Sequence, residues 1–180
     1  RIIGDVPVYV AGDSVDVWTN PSQFYLDENL EPIDVAGCPP DAFSADGQLW
    51  GNPLFRWDVM REDGYSWWTM RLRKMSTLYD VIRIDHFRGF DSYYAIPGKD
   101  TTARNGVWRN GPGMELFRAV EEKLGKPDII VEDLGFLTPS VLQLVADSGY
   151  PGMKVVQFAF DSRDDSDYMP HNYDKHCVVY

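Results

Sequence analysis

The chain has no apolar run of 18 residues, the length a membrane-spanning helix needs. It opens Arg1-Ile2-Ile3-Gly4-Asp5, without an apolar signal core, and both ends read as cut. Cysteine is scarce. Cys38 and Cys177 are the only two, far apart, so no disulfide framework is expected and a reduced, cytoplasmic setting fits. Basic residues are also few, 17 Lys and Arg against 28 Asp and Glu, a formal charge of −11. Such a surface repels phosphate backbones and argues against nucleic acid as a partner. What remains is an ordinary globular composition in 180 residues, 44% hydrophobic and 25% charged. Aromatics reach 14%, and many stand beside Gly, Pro, Asn or Asp rather than inside periodic apolar runs. Most of them serve a core, but the placement also suits a surface that stacks flat rings such as pyranoses.

Residues 2–10 read as a strand with an irregular course, because Gly4 and Pro7 interrupt it. The stretch 11–56 loses periodicity and reads as a long functional loop or a small inserted subdomain. Tyr65, Trp68, Leu72, Met75 and Tyr79 step by three and four residues, which predicts a helix over 62–79 with Asp63 as N-cap. A short strand follows over 81–84, ending in Asp85-His86, and 97–113 reads as a loop. A helix over 113–124 ends at Gly125, a strand at 129–131 ends in Glu132-Asp133, and a helix spans 138–148. In that last helix Thr138 is the N-cap, Pro139 takes the first helical position, and Val141, Leu142 and Val145 form the apolar stripe. Strands are expected again at 154–160 and from 177 onward. Alternating strands and helices imply an α/β chain with parallel pairing, either a doubly wound sheet or part of a (β/α)8 barrel.

The chemistry is carried by acids at strand ends. Asp85 and Glu132 each sit at the C-terminal end of an expected parallel strand, where such folds place their sites. Arg83 shares a face with Asp85 and would hold it ionised, as a nucleophile requires. Partial burial would keep Glu132 protonated for general-acid work, and the pair is the minimum set for cleaving a glycosidic bond. His86 can polarise a hydroxyl or simply bond near the strand end. No metal is expected: His171 and His176 lack partners at zinc spacing, and the acids of 161–167 lack the ordered spacing of a calcium loop. Ser14 and Ser44 have no base that the sequence places beside them, and Gly111-Pro112-Gly113 is not a phosphate loop.

Eight blocks carry a more specific signal: IGDVPVYV at 3–10, DSVDVW at 13–18, GCPPDAFS at 37–44, GQLWGNP at 47–53, IRIDHFRGF at 82–90, VEDLG at 131–135, PGMKVVQFAF at 151–160 and PHNY at 170–173. In this order they resemble the 4-α-glucanotransferases (amylomaltases or disproportionating enzymes) of glycoside hydrolase family 77, in the α-amylase superfamily. The resemblance implies the central part of a (β/α)8 barrel, incomplete at both ends. It implies Asp85 as nucleophile, Glu132 as acid/base, Arg83 as partner of the nucleophile and His86 as a substrate-binding histidine. Asp41, Ser44, Gln48 and Trp50 match a loop lining the donor side of the cleft, Phe158 matches a further cleft residue, and Asp5 a structural acid near the site. It implies α-1,4-glucans and maltooligosaccharides as substrates, no cofactor, and a cytoplasmic or, in a plant, plastidial location. The family's third catalytic carboxylate, in a Thr-His-Asp motif, falls beyond Tyr180, so the 180 residues alone are expected to be inactive.

Overall fold

The computed structural model describes residues 1–42, 44–135, 137–160 and 168–180. The acidic stretch 161–167 therefore lies outside the described residues. Strand β1 (Ile3–Pro7) ends sooner than the sequence suggests. Val8, Tyr9 and Val10 turn into the core instead, each at most 8% exposed. Helix α1 (Val15–Thr19) starts at Ser14, whose hydroxyl accepts the Val17 N–H at 3.4 Å. That capping contact accounts for a serine with no catalytic partner. Strands β2 (Asp34–Cys38) and β3 (Gln48–Pro53) follow, then α2 (Trp57–Glu62) and α3 (Ser66–Leu78).

The helix expected over 62–79 is α3, which starts four residues later than expected, at Ser66, while Glu62 ends the separate α2. Gly64 and Tyr65 take φ of 66° and 56°, left-handed values that no α-helix continues through. Asp63 still binds the new start, its carboxylate accepting the Ser66 N–H at 3.0 Å and the Ser66 hydroxyl at 2.6 Å. Strand β4 (Val81–Asp85) is followed by β5 (Ser92–Pro97) and β6 (Val107–Asn110), the latter inside the segment read as a loop. Helix α4 (Met114–Leu124), strand β7 (Ile129–Val131) and helix α5 (Pro139–Ser148) match their expected places. In α5 the stripe is Val141, Leu144 and the partly buried Val145, while Leu142 is 51% exposed.

Strand β8 (Gly152–Lys154) lies earlier than the expected 154–160 and pairs in parallel with β9 (Cys177–Val179). Beyond it, Val156–Ala159 curl into one 3-10 turn. The physical reason lies at Gly152. The Asp133 carboxylate fills the space where a Cβ would be and accepts the Met153 N–H at 2.7 Å, which seats the strand there.

Two sheets organise the rest. Strands β1, β4 and β7 form a parallel sheet in the order β1-β4-β7, with Pro7 opposite Asp85 and Ile84 opposite Val131. One face packs its apolar residues on the helices: Val6, Ile82, Ile84, Ile129 and Val131 share a core with Trp68 and Leu72 of α3, Leu116, Phe117 and Val120 of α4, and Leu144 of α5. Removing a fully buried ring such as Phe117 from this core costs about 3–5 kcal/mol. The other face carries Ile3, Asp5, Arg83, Asp85 and Ile130, by strict alternation.

The second sheet is antiparallel, in the order β3-β2-β5-β6. The stretch 11–56 supplies only half of it. The segment between β4 and α4 supplies the other half, joined through Val35↔Ile96 and Tyr94↔Trp108.

Candidate active site

The parallel register decides where the acids meet. Arg83 lies opposite Ile130 and Ile84 opposite Val131, so the next step brings Asp85 level with Glu132. The Glu132 N–H donates to the Ile84 carbonyl at 2.9 Å and the Phe87 N–H donates to the Glu132 carbonyl at 3.1 Å, which holds the two strand ends together. In-register residues of parallel neighbours point to the same side. Both carboxylates therefore stand on the face away from the helices.

Their surroundings differ. One Arg83 guanidinium nitrogen lies 3.0 Å from an Asp85 oxygen and also bonds Asp5, opposite it on β1. The guanidinium is fixed from a third side, because its Nε donates to the Met153 sulfur at 3.2 Å. Asp85 thus faces a fixed positive charge. Glu132 has no cation at bonding distance among the described residues, and its oxygens accept two backbone N–H groups, from His86 at 2.8 Å and Leu134 at 2.9 Å. Burial pushes the Glu132 carboxyl above its ordinary 4.5 and the nearby Asp85 charge adds to this, against the pull of those two N–H bonds and of Arg83.

His86 stands between them in a left-handed conformation, φ 51°, which presents its N–H to Glu132. Burial, with the Arg88 charge, lowers its imidazole to about 4, so the ring is neutral at pH 7. Trp50 meets it edge-on, with centroids 4.8 Å apart, and Tyr9 backs Trp50 at 6.2 Å.

His86 borders two openings. A small one of about 180 Å³ is lined by Pro7, Tyr9, Trp50, Asn52 and Asp85. A larger cleft of about 430 Å³ includes Cys38, Asp41, Gln48, Arg88, Trp108 and Leu134. The sequence-expected residues Asp5, Arg83, Asp85, His86, Glu132 and Trp50 are thus brought together, with Asp41 and Gln48 on the adjoining cleft. Gln48 also accepts the Trp50 indole N–H at 3.0 Å.

Two expected residues fall elsewhere. The Ser44 hydroxyl donates to the Gly47 carbonyl at 2.7 Å and its N–H to Asp41 at 2.7 Å, so it shapes the turn and lines neither opening. Phe158 rides the turn after β8 with its ring against Tyr168 at 5.2 Å, and it too lines neither. Sequence reasoning missed Tyr9, Asn52, Trp108 and the supporting Met153. Aromatics beside turn residues were the one available signal for Trp108. His176 turns its ring to the Gly149 carbonyl at 3.1 Å, and no three His, Cys, Asp or Glu side chains converge as a metal set among the described residues. Among the described residues no helix is long and apolar enough to cross a membrane.

The chain is 51% identical over its whole length to a 4-alpha-glucanotransferase of Clostridium butyricum, covering 37% of that protein. It is 52% identical to a 4-alpha-glucanotransferase of Streptococcus pneumoniae, covering 36% of it. Among solved structures it superimposes on an amylomaltase from Streptococcus agalactiae, in complex with acarbose, with a TM-score of 0.96 and 46% identity over 100% of this chain and 37% of that one. The chain therefore spans a little over a third of the length of these relatives. Residues 1–180 match the 4-alpha-glucanotransferase profile of glycoside hydrolase family 77 throughout, and the chain belongs to that family.

Proposed function

We propose that the full-length protein, with the further segments its relatives possess, is a retaining 4-α-glucanotransferase acting on maltooligosaccharides and starch-type glucans. The observation that carries this reading is the pair of unequal carboxylates, Asp85 and Glu132, level with each other on one face of adjacent strands. Neighbouring strands lie about 4.8 Å apart, so same-face acids at one level fall near the roughly 5–5.5 Å separation of retaining enzymes. In this reading the parallel strands are staves of a (β/α)8 barrel, and the acid-bearing face lines its lumen.

Asp85, paired with Arg83, attacks the anomeric carbon and forms a glucosyl ester. Glu132, its carboxyl pushed up by burial, delivers its proton to the departing glycosidic oxygen. The 4-hydroxyl of an acceptor glucan then attacks the ester carbon, Glu132 takes its proton, and Asp85 leaves as the carboxylate. His86, neutral at this pH, can hydrogen-bond a sugar hydroxyl without placing a second cation beside Asp85. The two residues that hold Glu132, His86 and Leu134, both border the larger cleft.

Incubating the full-length protein with maltotriose tests the proposal. Glucose together with oligomers longer than maltotriose marks transfer. Glucose and maltose alone mark a hydrolase of the same superfamily, and no products at all mark a glucan-binding protein.

A further inference from the structure

The Arg83 guanidinium is held by two of its nitrogens, and by groups of different kinds. One terminal nitrogen meets the carboxylates of Asp5 and Asp85, while Nε donates to the Met153 sulfur at 3.2 Å. A guanidinium is planar, so bonds on two separate nitrogens fix its rotation as well as its position. The sulfur is itself fixed. Met153 on β8 is 6% exposed, and its N–H is held at 2.7 Å by the buried Asp133. The Val131 N–H donates to the Pro151 carbonyl at 3.0 Å, which seats β8 beside the strand that leads to Glu132. A chain of contacts thus runs from Asp133 through Met153 and Arg83 to Asp85.

The kind of acceptor matters. A carboxylate in place of the sulfur would be a third anion on one cation and would compete with Asp85 for it. A thioether is uncharged, polarisable and a weak acceptor, so it orients the guanidinium and leaves its charge to the acids. In the free site the Asp85 carboxylate helps to hold Arg83 by direct pairing. In the glycosyl ester Asp85 carries no charge. Of the three groups, only Asp5 and Met153 then keep their hold on the guanidinium.

From this geometry, and resting on the function proposed above, we infer that Met153 is a positioning residue for the second half of the reaction. Its sulfur keeps Arg83 aimed at Asp85 while the ester lasts. The acceptor 4-hydroxyl attacks the anomeric carbon, the bond from that carbon to the Asp85 oxygen breaks, and its electron pair returns to the carboxylate. Glu132 takes the hydroxyl proton. The guanidinium already faces the oxygen on which charge grows, so it has no reorganisation to make at that moment.

The test uses the full-length protein with maltosyl fluoride as donor and glucose as acceptor, since glucose has no glycosidic bond and cannot itself donate. In ping-pong kinetics kcat/KM for the donor reports ester formation, and kcat/KM for the acceptor reports ester breakdown. Met153→Leu conserves volume and removes the sulfur. Its acceptor kcat/KM is expected to fall about tenfold, the worth of one hydrogen bond from a charged donor, while its donor kcat/KM stays within about threefold. Met153→Gln restores a neutral acceptor at similar length and returns the acceptor kcat/KM to within about threefold of the parent's. An acceptor kcat/KM unchanged in the leucine variant overturns the inference. An equal fall in both constants, the mark of a merely structural role, overturns it too, as does a glutamine variant no better than the leucine one. Failure of the parent protein to transfer at all defeats the proposed function instead, so the two failures are distinguishable.

Discussion

Replacing Glu132 with glutamine tests the acid/base assignment and the electrostatics beneath it together. The side chain keeps its size and loses its proton. With maltotriose, whose leaving oxygen must be protonated, the rate is expected to fall by about 10²–10⁴, or roughly 2.7–5.4 kcal/mol of lost transition-state stabilisation. With maltosyl fluoride no proton is needed for departure, so the pre-steady-state burst of fluoride falls by less than about tenfold. An equal loss with both donors refutes the role of Glu132 as proton donor.

Stability gives a second, independent reading of the same variant. Both carboxylate oxygens accept a backbone N–H, at 2.8 and 2.9 Å. Glutamine has one acceptor oxygen and sets its amide against the other donor, which costs about 1–3 kcal/mol. The pH dependence has a definite sign. The folded protein raises the Glu132 carboxyl above 4.5, so its stabilising contribution is complete below that value and is lost as pH climbs through the raised one. Glutamine does not titrate. The stability gap between parent and variant, measured by urea denaturation, is therefore widest in acid and narrows toward pH 7. A gap that grows with pH refutes the account of Glu132 as a carboxyl raised by burial.

Three further outcomes follow from the site. Asp85→Asn is expected to reduce turnover by at least about 10³ while calorimetric binding of maltotriose stays within a few-fold, and retained turnover counts against a nucleophile there. Asp133→Ala leaves the Met153 N–H unpaired beside Gly152 and should cost about 1–3 kcal/mol by urea denaturation, whereas Asp133→Asn keeps an acceptor oxygen and costs less. The His86 ring, lowered to about 4, should show no change in its C2–H chemical shift between pH 8 and 5.5. Because the unfolded chain binds that proton more readily, stability declines as pH falls from about 6.5 toward 4, and His86→Gln flattens this slope.

Local physics made much of the site readable from residues alone. A short β-branched run with an acid after it states both a strand and where its end lies, so Asp85 and Glu132 could be placed before any coordinates. Thr138-Pro139 and Gly125 marked helix limits in the same local way. What stayed hidden depended on contacts distant in sequence. Strands β2 and β3 have Gly and Pro within them, and β3 exposes four of its six residues, so neither has an alternating pattern to recognise. They become strands because β5, some 40 to 60 residues later, pairs with β2. The expected strand at 154–160 failed for a similar reason: its apolar run has the right residues, but the Asp133 carboxylate seats the chain two residues earlier. Phe158 accordingly falls in the turn after β8 rather than in a strand. The break at Gly64-Tyr65 was masked because the helical spacing of Tyr65, Trp68 and Leu72 continues across a helix start.

The antiparallel sheet draws two of its strands from the chain after β1 and two from the chain after β4, interleaved as β3-β2-β5-β6. Neither excursion can be transplanted from a homologue without its mate, since the Asp34–Arg109 ion pair at 2.6 Å and the Val35↔Ile96 register both span the join. Divergence of this sheet within the family should accordingly proceed by paired changes in 34–53 and 92–110. Chimaeras that exchange the two segments jointly are the ones to carry specificity across.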